Sequence, residues 1–512
     1  MSMTEKVDEL RKRKQQTSLG RGQQRIEDGK AKGKKMAADR ISKLLDSGSF
    51  IETDAFTQSR STDFDMASKR ADGDGVICGY GKINNRPVFI ASQDYSVLHG
   101  SVGEMHAKKI ERTIDCAIKT GVPVIYLLDS DGARVEEGTD VLAGIGGVLT
   151  KQSMASGVIP QISVVLGNCA GISSLFTAMS DFVVMADKIS CMYMNGPEAI
   201  LGISGVKTTD EEIGSAATHA TSSGNAHIRC ENEDDCINAV KLLLSYLPDN
   251  NLTEALKLEV SDAPDRTAEN LYETVADSYD MREVITSVTD TSTFMEIQSE
   301  FAASMITGFA RMNGQSVGIV ANNPAVNEGR IDMHAADKAA RFVRLLDCFN
   351  IPIITFTHTS GYVADALQEK EGLIRHAAKM VYAFTEADVP KINIITGKAI
   401  GGAYIAMNSK ATGCDIVFAY PTASVAVMDS EGAANIIYNE QIAKSDNPVE
   451  FRKAKIKEYH ERFASPYEAA KRGYVDDVIN PAFTRAYVIT ALEMLKSKRE
   501  NRPNRKHGNM PL

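Results

Sequence analysis

The chain has 512 residues, more than one hydrophobic core usually supports, so its length predicts at least two domains. Hydrophobic residues make up 43% and charged residues 24%, as in ordinary globular proteins, and the formal net charge of −10 argues against general nucleic-acid binding. No apolar run reaches the roughly 18 residues of a membrane span, and the charged N-terminus lacks the apolar core of a secretory signal. The eight cysteines form no CxxC pair, so we expect reduced thiols, no metal site and a cytoplasmic location.

The order of segments along the chain predicts three parts. We expect a polar helical segment over residues 1–48 and two larger domains over 49–265 and 266–512. Within the first part, residues 30–35 (KAKGKK) form a basic cluster that is typical of a solvated surface. The apolar periodicity of residues 485–499, near the C-terminus, predicts a long amphipathic helix.

An internal repeat dominates the sequence. Gly79 opens the first copy and Gly308 opens the second, a shift of 229 residues. The strings VPVIYLLDSDG and IPIITFTHTSG keep this shift, and they end at Gly132 and Gly361. In each copy, short apolar runs alternate with helical stretches, which favours βαβ units and a largely parallel sheet. The sequence therefore predicts an α/β fold made of two tandem copies of one domain.

In each copy a buried strand leads directly into a glycine-rich turn and then a helix. The two turns are GNCAGISS at 167–174 and GKAIGGAY at 397–404. Glycine lets a ligand approach the backbone closely, and free N–H groups at such a turn can bind a developing oxyanion. Close packing of strand against helix would also explain the glycines of either turn alone. Two turns at equivalent places in a repeat favour a pair of sites that each bind one oxyanion.

The repeat, both turns and several longer strings resemble the biotin-dependent acyl-CoA carboxyltransferases, from about residue 25 to the C-terminus. Matching strings include SQDYSVLHGSVGEMHAKKI at 92–110, GFARMNGQSVGIVANNP at 308–324 and KAIGGAYIAM at 398–407. The branches that the chain resembles are the propionyl-CoA carboxylase β subunits and the methylmalonyl-CoA decarboxylase α subunits. The resemblance implies two crotonase-like domains of the ClpP/crotonase superfamily in tandem.

The same resemblance implies carboxyl transfer between carboxybiotin and the α carbon of a short-chain acyl-CoA of the propionyl or methylmalonyl type. The thioester oxygen of acyl-CoA would bind the N–H groups of Gly171 and Ile172 in the first copy. The ureido oxygen of biotin would bind those of Gly402 and Ala403 in the second, and no side chain need act as a base. The positions that match binding residues of the family are Gly132, Ala133, Arg134 and Ala170 for acyl-CoA, and Gly401, Gly402 and Ala403 for biotin.

Partner proteins are implied as well. The chain has no biotin-attachment motif, so the resemblance implies a separate biotin carboxyl carrier protein. Further partners would be a biotin carboxylase, if the complex is a carboxylase, or membrane decarboxylase subunits, if it is a decarboxylase. The family also implies a homo-oligomer, with a hexamer expected, and neither nucleic acid nor a direct membrane span.

This sequence departs from the family pattern mainly around the two turns. The family motif DSGGAR is DSDGAR here, which introduces Asp131, and His99 replaces a usual glycine. Ile172 replaces the second glycine of the first turn. The family string FVDVPGFLPG corresponds to FTHTSGYVAD, with His358 at the aspartate, and Gly397 replaces an arginine. The residues that we expect to shape the substrate pocket are Asp131, Ser173, Ser174, His358 and Ile405.

Two other functions stay open at this point. Because the departures gather at the turns, the chain could be a catalytically altered paralogue that acts as a subunit of a hetero-oligomer. It could also be a hydratase-like or hydrolase-like acyl-CoA enzyme on the same fold, with Glu198 or His358 as its acid or base.

Overall fold

A computed structural model describes residues 2–18, 23–276, 278–500 and 502–511. The chain forms two compact units, Met1–Glu254 and Ala255–Leu512. The domain boundaries expected after residues 48 and 265 stay predictions. Within the described residues, no helix is both long and apolar enough to cross a bilayer.

Unit 1 is built on one mostly parallel sheet. Its strands are β1 Ile51–Thr53, β2 Val76–Ile83, β3 Arg86–Gln93, β4 Val124–Ser130, β5 Gln161–Ala170, β6 Phe182–Ala186, β7 Cys191–Tyr193 and β8 Ile228–Cys230. Its helices are α1 Met3–Ser18, α2 Gln23–Ala31, α3 Ala37–Leu44, α4 Met66–Lys69, α5 Glu104–Thr120, α6 Thr139–Ala155, α7 Ser173–Ala178, α8 Pro197–Ser204, α9 Asp210–Gly214, α10 Ala216–Thr218 and α11 Glu233–Tyr246. The strand order is β1-β2-β3-β4-β5-β6-β8, with β7 paired to β5, and all pairs from β3 onward are parallel.

Unit 2 repeats this plan. Its strands are β9 Met295–Ile297, β10 Met305–Met312, β11 Gln315–Asn322, β12 Ile353–Thr359, β13 Lys391–Ile400, β14 Ile416–Ala419, β15 Ser424–Ala426 and β16 Asp477–Val478. Its helices are α12 Leu271–Thr274, α13 Met281–Val288, α14 Met333–Cys348, α15 Ala366–Glu371, α16 Leu373–Glu386, α17 Gly401–Ala406, α18 Ser430–Ile437, α19 Asn439–Ala443, α20 Pro448–Tyr459, α21 Pro466–Lys471 and α22 Thr484–Leu495. The strand order is β9-β10-β11-β12-β13-β14-β16, with β15 paired to β13.

The tandem repeat expected from the sequence is confirmed in the pairing of the strands. Gly79 lies opposite Ile90 in unit 1, and Gly308 lies opposite Ile319 in unit 2, so the register repeats with the shift of 229 residues. In both units the first strands pair antiparallel and the central strands pair parallel. A parallel sheet buried on both faces requires the near-continuous apolar strands that the sequence contains.

Both central strand pairs lose their register at the same point of the repeat. The shift falls within 128–130 where β4 pairs with β5, and within 357–359 where β12 pairs with β13. Such an irregularity re-aims the side chain at the break. It leaves Asp129 and His358 at equivalent positions, one near the carboxyl end of β4 and the other near that of β12.

Buried apolar side chains hold each sheet to its helices. In unit 1 the core includes Ile110 and Ile145 from α5 and α6, packed with Tyr126 and Val165 from the sheet. Each side chain of this size stabilises the fold by about 1.5–3 kcal/mol when fully buried. An equivalent cluster fills unit 2, and its members include Val317, Ile354, Phe356, Ile392 and Val488. The cores fix the strands, and the glycine-rich turns follow at their carboxyl ends.

Candidate active site

The first glycine-rich turn joins β5 to α7. Gly171 takes φ +60°, a left-handed conformation that favours glycine. Ile172 follows at φ −63° and ψ −21°, in the right-handed helical region. That conformation suits a β-branched residue, so replacing the usual glycine at this position introduces no backbone strain.

Hydrogen bonds decide which N–H groups of the first turn are available. Gly171 N–H donates to the carbonyl of Tyr193 at 2.9 Å, because β7 runs beside the end of β5. This bond corrects the expectation for Gly171, whose N–H is already occupied. In the described part of the chain, the N–H groups of Ile172, Ser173 and Ala133 have no hydrogen-bond acceptor.

Ala133 belongs to a second backbone segment at the same place, the turn that follows β4. Gly132 in this turn has φ +102°, and a methyl group at its Cα would lie 2.9 Å from the carbonyl oxygen of Ala170. The turn therefore packs directly on the end of β5. Unpaired N–H groups on two adjoining strand ends can stabilise the oxygen of a polarised thioester.

Unit 2 has the equivalent arrangement. Gly401 takes φ +65° at the start of α17, and the N–H groups of Gly402 and Ala403 lack acceptors in the described chain. Tyr362, the counterpart of Ala133 after β12, also has an N–H without an acceptor there. A methyl group at Gly402 would lie 3.5 Å from the Tyr362 ring. Because glycine has no side chain, its backbone stays accessible to a ligand beside this ring.

Arg134 does not extend toward a ligand. It is buried, and its guanidinium lies 2.7 Å from Asp74 Oδ1 and 2.7 Å from Glu137 Oε1. The same group donates to the carbonyl of Ser101 at 2.8 Å. These partners occupy the charge of the side chain, and the expected role of Arg134 in acyl-CoA binding stays a prediction. Arg134 fixes the loop that carries Gly132.

Two predicted pocket residues face the protein interior. Ser173 is fully buried, and its hydroxyl has no partner in the described structure. Ser174 is also buried, and its Oγ donates to the carbonyl of Gly171 at 2.7 Å. Both side chains lie under the turn, and their expected role in shaping the substrate pocket stays a prediction. Ser174 supports the turn.

Asp131 lies on the exposed side of the first site. Its Oδ1 accepts a hydrogen bond from Asn168 Nδ2 at 2.7 Å, and its Oδ2 lies 3.5 Å from His99 Nδ1. His99 takes φ +56°, and its carbonyl accepts from Asp131 N–H at 3.2 Å. Ile405 in unit 2 is likewise exposed, on α17.

His358 is half-buried near the end of β12. Its Nδ1 lies 3.0 Å from the hydroxyl of Tyr279, which donates to Thr396 Oγ1 at 2.8 Å. Since a tyrosine hydroxyl carries one hydrogen, His358 Nδ1–H is the donor to Tyr279. Burial, together with the positive charge of Lys398, lowers the pKa of His358 to about 4, so the ring is neutral near pH 7. Gly397 lies against this ring, and a methyl group there would overlap it.

The counterpart of His358 in unit 1 is Asp129, which the sequence did not indicate as a site residue. Asp129 is buried and lies 2.9 Å from Lys34 Nζ and 3.1 Å from Arg40 Nη2. Arg40 also pairs with the buried Glu233 at 2.6 Å. Lys34 is therefore not part of a solvated basic surface, contrary to the expectation for residues 30–35, because it reaches the end of β4.

Comparison with known proteins places this chain among carboxyl transferases. The carboxyl transferase domain family matches residues 28–510. The propionyl-CoA carboxylase carboxyltransferase subunit of Haloferax mediterranei is 44% identical, and the alignment covers 100% of both chains. Methylmalonyl-CoA decarboxylase subunit alpha of Veillonella parvula is 45% identical, again with 100% of both chains covered. The crystal structure of transcarboxylase 12S, a hexamer assembly with methylmalonyl-coenzyme A and methylmalonic acid bound, is 42% identical, with a TM-score of 0.97 over 100% of this chain and 99% of that one.

Proposed function

This chain belongs to the carboxyl transferase family, and from that membership we propose that it is the carboxyltransferase subunit of a biotin-dependent acyl-CoA carboxylase or decarboxylase. The family and the tandem α/β fold expected from the sequence are confirmed. In the proposed reaction, a carboxyl group moves between carboxybiotin on a separate carrier protein and the α carbon of a propionyl-type acyl-CoA. The observation that carries the proposal is the matched pair of turns with unpaired N–H groups, one in each copy of the repeat.

The first turn would hold the acyl-CoA. Negative charge builds on the thioester oxygen as the α carbon loses its proton or its carboxyl group, and N–H donors stabilise that charge. Ile172 and Ala133 supply such donors from two adjoining segments. The positive φ of Gly171 and Gly132 aims the backbone without a Cβ in the way, and Ala170 borders the same face.

The second turn would hold biotin. Bound carboxybiotin supplies the carboxyl group and, after its release, a nitrogen that can take up the α proton. The residues present fit such a group, since Gly402 and Ala403 offer unpaired N–H groups and Gly401, at φ +65°, turns the chain so that they start α17. Tyr362 adds a third free N–H beside them. A general base among the side chains is not needed in this scheme.

The relatives support further parts of the proposal. The transcarboxylase 12S structure is a hexamer assembly, and we propose a homohexamer for this chain. A biotin carboxyl carrier protein would be one partner, and a biotin carboxylase or membrane decarboxylase subunits would be the others. Acyl-CoA metabolism and eight cysteines that form no disulfide fit a cytoplasmic location.

The decisive assay uses the full chain with methylmalonyl-CoA and free biotin. Carboxyl transfer to biotin leaves propionyl-CoA, so the proposal predicts propionyl-CoA formation that depends on biotin. Ile172→Pro removes one N–H donor, and the native φ of −63° already matches proline. Loss of a single oxyanion donor lowers kcat by about 100-fold to 1,000-fold. The matched control, Ile172→Val, keeps the N–H and should keep most of the activity.

Two results would contradict the proposal. One is the absence of biotin-dependent turnover with any short-chain malonyl-type CoA thioester although CoA binds. If the isolated chain also failed to form a homo-oligomer by light scattering, that result would favour the altered paralogue that acts within a hetero-oligomer. The other is turnover without biotin that is lost in His358→Gln or Glu198→Gln, as expected of a hydratase-like or hydrolase-like enzyme.

A further inference from the structure

Three polar side chains form a shelf beside the first glycine-rich turn. The shelf consists of His99, Asp131 and Asn168, and Asp131 is its centre. Two of the three stand where the family pattern described above has glycine, namely His99 and Asp131. Their side chains are therefore additions at this edge of the sheet. They contact each other, so the additions form one structure and not scattered surface changes.

The repeat shows that these three positions belong to a defined place in the fold. Their counterparts in unit 2 are Glu328, Ser360 and Lys398, and these residues also contact one another. Ser360 Oγ donates to Glu328 Oε2 at 2.7 Å, and Lys398 Nζ lies 3.2 Å from the same oxygen. Each unit thus has a carboxylate at the centre of its shelf. Only the unit 2 shelf contains a lysine.

The shelf in unit 1 lies on the same face as the proposed acyl-CoA site. Asn168 and Ala170 alternate with the buried Cys169 along β5, so they point to the same side of the strand. Ala170 lies directly against Gly132, next to the unpaired N–H of Ala133. Two residues of a strand span about 7 Å. A hydroxyl at the end of a three-carbon acyl chain lies about 4 Å from the thioester carbon, and a hydrogen bond of about 2.8 Å to a carboxylate covers the rest of this distance.

The chemistry of the shelf defines what it can recognise. Asp131 is about 41% exposed at its side chain and offers its remaining carboxylate lone pairs toward solvent. Its two partners orient it from opposite sides through Oδ1 and Oδ2. A fixed anionic acceptor favours a hydrogen-bond donor and gains nothing from a methyl group.

We propose that Asp131, oriented by His99 and Asn168, is a specificity-determining residue that favours acyl-CoAs with a hydroxyl at the end of a short acyl chain. This inference rests on the proposed function, because it assumes that the acyl chain leaves the first turn toward the shelf. The family pattern with glycine at these positions has no equivalent acceptor.

A matched pair of ligands tests this inference by titration calorimetry on the full chain. In 3-hydroxypropionyl-CoA a hydroxyl stands where butyryl-CoA has a methyl group, and all other heavy atoms correspond. We expect the hydroxyl ligand to bind about tenfold more tightly, as is typical of a hydrogen bond to a charged acceptor. Asp131→Gly should bring the ratio of the two Kd values to about one, and Asp131→Asn should leave an intermediate ratio. Asp265→Gly, which removes an exposed carboxylate in unit 2, should leave the ratio unchanged.

Three outcomes would overturn the inference. The unmodified chain could bind the two ligands with equal affinity, or Asp131→Gly could leave the ratio of the two Kd values unchanged. Asp131→Gly could also weaken the binding of CoA itself as much as it weakens the binding of 3-hydroxypropionyl-CoA. Failure of the inference can be told apart from failure of the proposed function, because biotin-dependent propionyl-CoA formation is measured separately. If the chain transfers carboxyl groups yet binds both ligands equally, the proposed role of Asp131 is wrong and the proposed function stands. If the chain binds 3-hydroxypropionyl-CoA tenfold more tightly than butyryl-CoA but shows no biotin-dependent turnover, the proposed role of Asp131 stands and the proposed function is wrong.

Discussion

Asp129 in unit 1 and His358 in unit 2 occupy the same position of the repeat, and the protein accommodates them by opposite means. Asp129 is a buried anion, neutralised by Lys34 and Arg40 from the segment that precedes the first sheet. His358 is a neutral ring that donates to the hydroxyl of Tyr279. A buried charge needs a paired charge, whereas a buried neutral ring needs only one hydrogen-bond partner.

A neighbouring glycine leaves space for the Asp129 carboxylate in unit 1 and for the His358 ring in unit 2. Gly167 lies against the Asp129 carboxylate and Gly397 lies against the His358 ring, and a methyl group at either glycine would overlap its neighbour. The family pattern has an aspartate and an arginine at 358 and 397. Because these positions touch, we expect their two departures to be coupled, since loss of the arginine side chain leaves space for the imidazole. The change replaces two charged side chains with a neutral ring and a glycine.

The largest difference between the two units should be found by removing the partners. Arg40→Met leaves Glu233 without its guanidinium and Asp129 with one cation less, and breaking such a buried pair costs about 3–5 kcal/mol of unfolding free energy. The matched change in unit 2 is Tyr279→Phe, which removes only neutral hydrogen bonds and should cost about 1 kcal/mol. Scanning calorimetry of both variants measures the difference, and equal costs would show that the ionic and neutral solutions are equivalent.

The second largest difference between the units should be found in how the free energy of unfolding depends on pH. The pKa of an unfolded histidine is about 6.5, and that of His358 in the folded chain is about 4. Between these values the unfolded state binds more protons, so the contribution is fully present above about pH 6.5 and is lost as the pH falls toward 4. Its full size is about 3 kcal/mol. His358→Gln should abolish this part of the pH dependence in denaturant titrations from pH 7 to 4.5.

The control for this experiment is His460→Gln, at an exposed position of the helical segment after α20. It should leave the slope of unfolding free energy against pH unchanged. If His358→Gln also leaves the slope unchanged, the imidazole is not held neutral by its surroundings, and the comparison with Asp129 loses its basis.

The sequence was sufficient for the features that depend on local pattern and repetition. The apolar strands, the shift of 229 residues and the glycines at 171 and 401 predicted the tandem fold and both turns. A further signal was present for Ala133 and Tyr362, since each follows a repeated glycine after a buried strand. The family resemblance already implies acyl-CoA binding at Gly132 and Ala133, whereas it gives no expectation for Tyr362.

Other features depend on contacts that no local pattern contains. Lys34 pairs with a residue 95 positions away, so its basic cluster gave no sign that one lysine is buried against β4. The N–H of Gly171 is occupied because the short strand β7 returns beside β5. Ser173 and Ser174 lie on a helix of six residues, too short for its apolar periodicity to reveal which face is buried.

The smallest expected effect tests whether 358 and 397 are truly coupled. Gly397→Ala places a methyl group against the His358 ring and should cost about 1–2 kcal/mol of unfolding free energy, as overpacking usually does. In a His358→Ala background the ring is absent, so the same substitution should cost close to nothing. The double-mutant cycle should therefore give a coupling energy of about 1 kcal/mol. Additive costs would mean that the ring turns aside freely, and the paired departures from the family pattern would then be independent changes. Gly167→Ala should be costlier than Gly397→Ala, because Asp129 is fixed by its ion pairs and cannot turn aside.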